Sequence, residues 1–211
     1  MNFTYELVRD WFSVKEEGYE PIYLRGQQTP IDWKSKIGNS DMNSNFKTTH
    51  DIPLHKGDMV IREDGKVYIL NWEIQNHANN QATQTAECNG TLTFVRHIND
   101  IVSVEGYLIE PRHDAIIVPP IPVIHEEYAG RPDFSATREI PGINADHLIT
   151  VSMQWNSRTK NIRLDDEFEI GCFTYRVINI SFAEVNIDNE NGILKINAKR
   201  VAGGVIEDGE M

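Results

Sequence analysis

Apolar and polar residues alternate along much of this chain, most clearly over 164–180. Phe168 and Ile170 lead into a turn at Gly171, and Phe173, Tyr175, Val177 and Ile180 lead out of it with polar residues between them. That period of two is what a half-buried hairpin requires. The run 148–155 alternates too and ends at the turn-like Asn156-Ser157-Arg158. A fourth run, 193–198, is reached through Asn191-Gly192, a step suited to positive φ. Four consecutive strands with tight turns predict a small antiparallel barrel or sandwich.

A weaker copy of the same phrase spans 55–72, with an acidic start, an apolar strand, a turn at Asp64-Gly65 and an aromatic and β-branched exit strand. Two hairpins of one pattern predict a duplication, or else convergence of two unrelated hairpins on one turn. The expected fold is therefore mainly β. It comprises two coupled small antiparallel β-barrel or sandwich units, a short N-terminal helix and long extended arms.

The remaining segments complete this division. Leu7, Val8, Trp11, Phe12 and Val14 recur at roughly helical spacing, which predicts the helix within 4–14. From 16 to 50, Gly, Ser, Asn, Thr and Pro dominate with isolated aromatics, as in an extended arm. The first β unit covers 51–110. Within it, 73–85 is almost wholly uncharged and polar, predicting a mobile exposed loop. Over 111–145, prolines at 111, 119, 120, 122, 132 and 141 interrupt an apolar stretch containing Ile116, Ile117, Val118, Ile121, Val123 and Ile124. Such a segment is expected to lie extended along another surface, as a connector or as an arm on a neighbouring subunit. The C-terminal β unit spans 146–202, and 203–211 is an acidic tail.

Composition narrows the function. The 211 residues allow one large or two small domains with a real core. A net charge of −12 argues against binding nucleic acid through a basic face. Cys88 and Cys172 stand far apart, each in a predicted strand, and are expected to be buried free thiols in a reducing compartment. The N-terminus lacks the pattern of a secretion signal, and no apolar run approaches membrane-spanning length. The seven histidines show no HxH or HExxH spacing, and 165–167 lacks the surroundings of a calcium loop. A nucleophile elbow, a phosphate-binding loop and a dinucleotide fingerprint are absent as well. Neither an enzyme nor a cofactor is expected.

Five segments taken in order carry a resemblance. They are Asp58-Met59-Val60 with Gly65 and Tyr68, then 87–94, then 149–156 with Thr159 and Ile162. Phe168 with Gly171 and Tyr175-Arg176-Val177 follows, and 192–196 closes the series. Together they resemble the neck proteins of tailed bacteriophages, the head-closure or stopper family, over roughly 51–199.

The resemblance implies a virion structural protein made in the host bacterial cytoplasm. It would form a sixfold or twelvefold ring with copies of itself below the portal and adaptor proteins, offering a platform to tail terminator or tail proteins. It would retain packaged double-stranded DNA without sequence-specific binding and without a membrane. On that basis Gln75, Asn76, His77, Asn79, Asn80 and Gln81 are candidates for a channel loop. Ile116, Ile117, Val118, Ile121, Val123 and Ile124 are candidates for a subunit-interface arm. A β-sandwich binding module for carbohydrate or a receptor, marked by exposed tryptophans such as Trp33, Trp72 and Trp155, is the alternative; a tail-completion protein is another.

Overall fold

The computed structural model describes residues 2–30, 43–99, 101–102, 108–127 and 148–201. Its strands are β1 (Asn2–Val8), β2 (Ile22–Pro30), β3 (Asn43–Thr48), β4 (Met59–Arg62), β5 (Val67–Leu70), β6 (Gln75–His77), β7 (Asn80–Glu87) and β8 (Gly90–Ile98). After these come β9 (Ile101–Val102), β10 (Leu108–Glu110), β11 (His113–Glu127), β12 (Leu148–Gln154), β13 (Glu167–Ile170), β14 (Phe173–Asn186) and β15 (Asn191–Arg200). The fold is mainly β, as the alternation predicts.

The first sheet runs β3-β2-β1-β4-β5-β7, and a further ladder from β7 back to β3 closes it into a barrel. β6 adds a short hairpin strand to β7. The second sheet is a closed barrel in the order β11-β12-β15-β14-β13-β8. Its strands come from 90–98 and 113–127 as well as from 148–200, so neighbours in space are drawn from well-separated stretches of sequence.

The two barrels repeat one plan. In chain order, the first strand pairs with the second, the second with the third, the third with the sixth, the sixth with the fifth, the fifth with the fourth, and the fourth with the first. In the second barrel β8, β11, β12, β13, β14 and β15 take the same places.

The repeat reaches individual atoms in the turn before the fourth strand. The Asp58 carboxylate accepts from the His55 backbone N–H at 2.8 Å, and that of Asp166 from the Arg163 N–H at 2.7 Å. Gly57 (φ 89°) and Asp165 (φ 68°) hold the same left-handed position. Their N–H groups donate to the carbonyls of Leu70 and Val177. Arg9 donates to the Pro53 carbonyl at 3.2 Å, as Arg96 donates to that of Asn161 at 2.8 Å. So many matched bonds across one shared topology are the mark of an internal duplication rather than of two similar hairpins.

The barrels are joined through one face. Tyr5, Leu7, Leu24, Phe46, Val60, Tyr68 and Leu70 fill the first interior. Val8, Met59 and Ile69 point the other way from strands β1, β4 and β5, are fully buried, and belong to the core of the second barrel. Gln154 fastens the joint: its amide donates to the carbonyls of Val8 and Gly57, both at 3.1 Å, and its oxygen accepts from the Trp11 N–H at 2.8 Å. Gly57 is pressed so closely that a β-carbon there would lie 2.0 Å from the Gly192 carbonyl oxygen.

Three expectations are corrected. The predicted N-terminal helix is strand β1 followed by a single 3-10 turn at Ser13–Lys15. Within the predicted extended arm, 22–30 and 43–48 are strands of the first barrel, carrying a polar interior cluster. There Gln28 donates to Ser44 Oγ at 2.6 Å and accepts from Tyr5 Oη at 3.2 Å, and the Ser44 and Thr85 hydroxyls lie 2.9 Å apart. Finally, 113–127 is a 15-residue barrel strand. Its register slips between Ile116 and Val118 and between Val118 and Ile121, so Pro119 and Pro120 fall in an irregularity where no ladder N–H is needed.

Candidate functional site

The polar segment 73–85 forms the β6–β7 hairpin instead of an irregular loop. Gln75, Asn76 and His77 on β6 and Asn79 in the turn are exposed, Asn80 is half-buried, and Gln81 is buried. Gln81 anchors the base. Its oxygen accepts from the Leu54 N–H at 3.0 Å, and its amide donates to the carbonyls of Thr49 and Ile52 at 2.9 and 2.7 Å. The His50 ring also meets the His77 carbonyl. A satisfied, buried amide at the base leaves an uncharged polar tip exposed above a fixed foundation.

The apolar residues of 111–145 divide by strand face. Val118, Ile121 and Val123 are fully buried in the second barrel, and Ile117 and Ile124 pack partly buried against the same core. Those five stabilise their own barrel and are not free for a neighbouring subunit. Ile116, 66% exposed, is the candidate that faces outward. Residues 128–147 lie outside the described residues, as do Trp33 and 203–211.

Ile116 belongs to a row that runs directly across four strands: Ile116 opposite Val95, Val95 opposite Glu167, Glu167 opposite Arg176. His97 stands beside it, with Nδ1 2.6 Å from Asp114 Oδ1 and Nε2 2.9 Å from Glu167 Oε2. Its bonds to Glu167 and then Asp114 hold the imidazole above its ordinary value. Glu167 is partly buried, which alone would raise its carboxyl, but His97 and Arg176 outweigh burial and hold it below its usual range. Nothing in the sequence spacing marks this cluster, since its members are brought together only by strand register. Beside the row lies a cleft of about 510 Å³ that includes Thr93, Val95, Glu167, Glu169 and Thr174 in its lining.

The two aspartates at equivalent turns differ in electrostatics. Asp166 takes a two-pronged contact from Arg96, with Nε 2.7 Å from Oδ1 and Nη2 2.8 Å from Oδ2. Asp58, 2% exposed, has instead the His55 ring at 3.6 Å. Burial pushes its carboxyl up to about 6, against the pull of His55 and Arg9. Among the described residues, no three His, Cys, Asp or Glu side chains converge to hold a metal ion. Trp155 is partly buried and meets Phe182 edge-on at 5.7 Å, whereas Trp72 is 53% exposed. Cys88 lies between β7 and β8 rather than within a strand and is partly buried; Cys172 lies in the β13–β14 turn and is exposed.

Residues 138–199 match the family model of the YomX C-terminal domain, a phage-related family. The match takes in β12 to β15, four of the six strands of the second barrel. No curated protein and no solved structure gives a significant match. The described part of the stretch that resembles a phage-related domain thus lies in the second of two like barrels.

Proposed function

We propose that this chain is a virion structural protein of the tailed-phage neck, a ring-forming head-closure component that joins portal and adaptor to the tail and retains packaged DNA. The observation that carries this reading is the anchored β6–β7 hairpin, projecting an uncharged polar tip from a barrel of an acidic chain that also matches a phage-related family. An uncharged tip can stand beside a DNA duplex without the phosphate contacts that lysine and arginine would make, and the acidic balance keeps passing DNA from adhering. A tip that swings on a fixed base is the two-state element that blocking and release require. In this reading the protein acts through contacts alone and catalyses nothing.

The test is the mass of the purified protein, alone and mixed with the portal–adaptor complex of its own phage. Addition in a fixed multiple of six supports the reading. A second arm shortens the hairpin across 76–79; the variant should join the complex yet fail to hold DNA in filled heads. A protein that ignores the portal–adaptor complex, or a shortened variant that retains DNA normally, overturns the corresponding half of the proposal.

A further inference from the structure

The duplication allows each face of one barrel to be compared with the same face of the other. In the first barrel, Val8, Met59 and Ile69 form a directly paired row across β1, β4 and β5, and that row is the one the second barrel covers. The turn aspartates fix the correspondence, since Met59 follows Asp58 as Glu167 follows Asp166, and Ile69 precedes Leu70 as Arg176 precedes Val177. The equivalent row in the second barrel is therefore Val95, Glu167 and Arg176. What is apolar and fully covered in the first barrel is, in the second, a half-buried Val95 beside the Glu167–Arg176 ion pair, with the Arg176 side chain exposed. Exposed Ile116 extends the row with an apolar centre, and Glu169, exposed in the adjoining cleft, has no ion-pair partner among the described residues.

A complementary surface exists on the first barrel. β3 lies across the closed strand order from β4, so the β2–β3 face looks away from the joint. Leu24, Gly26, Phe46 and Thr48 point inward, which turns Tyr23, Arg25 and Lys47 outward. Tyr23 is 62% exposed, and Arg25 and Lys47 bring two positive charges to this face.

We propose that the Ile116–Val95–Glu167 row with Glu169 is a docking face for a second copy of this chain, whose Tyr23, Arg25 and Lys47 seat on it. The contact would extend the internal barrel-on-barrel joint from one chain to the next, head to tail, an arrangement that closes into a ring when its rotation permits. An apolar centre with a charged rim is the usual anatomy of such a contact, and rim charges set which partner is accepted. The inference requires self-association only and does not depend on a place in the neck.

Sedimentation velocity at low and high ionic strength tests it. The native chain should associate at low salt and dissociate as salt rises. Glu169→Lys and Lys47→Glu should each weaken association about tenfold by setting like charges together, and the two substitutions combined should restore it. Both positions are exposed strand sites, and Ile116→Ser gives an independent uncharged disruption of the same face. A native chain that stays monomeric at every salt, single variants that associate like the native chain, or a double variant no better than either single would overturn the proposal. Failure here with intact portal binding would leave the neck reading standing.

Discussion

Replacing Asp58 by asparagine should stabilise this protein at neutral pH, while the same replacement at the equivalent Asp166 should destabilise it. Asp58 is buried, and neither the His55 ring nor Arg9 offsets the cost of burying its charge, so ionisation is disfavoured in the fold and its carboxyl rises from 3.8 to about 6. That difference corresponds to ~3 kcal/mol. A carboxyl whose folded value is raised contributes its stability in full below 3.8 and loses it as pH climbs through about 6. Asparagine keeps an oxygen to accept from the His55 N–H and has no charge to bury, so the loss disappears. The gap between Asp58→Asn and native protein should therefore grow from near zero at about pH 4 to ~3 kcal/mol at about pH 7.5. Titrating groups away from residue 58, including Glu167, Glu184 and His97, are present in both proteins and cancel. Urea unfolding followed by tryptophan fluorescence at the two pH values measures the gap. At Asp166 the same change leaves the Arg96 guanidinium without its carboxylate and should cost about 2–4 kcal/mol at neutral pH. An Asp58→Asn advantage that is absent at about pH 7.5, or equal at both pH values, would refute the reasoning.

Other outcomes follow from the joint and the thiols. Gln154→Ala leaves the Val8 and Gly57 carbonyls and the Trp11 N–H without their partner and should cost about 3 kcal/mol in urea unfolding. Gly57→Ala combines a left-handed backbone position with a contact at 2.0 Å to the Gly192 carbonyl. It should cost at least about 3 kcal/mol, seen as a lowered Tm. The Cys88 thiol is pushed up to about 12 by burial and by Glu87, whereas Cys172 is exposed. A maleimide should accordingly label one thiol in the native protein, at Cys172, and both in urea, as peptide mass mapping would show.

The 167–180 hairpin was legible because one face is buried and the other wet, so period two survives there; 59–70, buried on both faces, reads only as a weaker copy, and Gly65 and Gly171 supply positive φ at the two turns. Strand β1 was not. Tyr5 and Leu7 face the first interior while Val8 faces the second barrel, and burial on both faces turns an alternating pattern into one that imitates helical spacing. Strands β2 and β3 were hidden for the opposite reason. Gln28, Ser44 and Thr85 satisfy one another inside the barrel, so part of its interior is polar and the sequence looks like a loop. The prolines of 119–122 look like breaks because local sequence does not reveal a bulge. The His97 cluster and the Ile116 row depend on register between strands distant in the chain, which no local pattern encodes.

Two like barrels in each chain also change what a ring of such chains can match. Six copies would carry twelve barrels, so the assembly would present six identical chains to one neighbour and twelve nearly equivalent modules to another. A duplicated subunit can in this way mediate between partners of different rotational order without any chain adopting two conformations. Because Glu167 and Arg176 stand in the second barrel where Met59 and Ile69 stand in the first, the twelve modules would alternate in character around the circle.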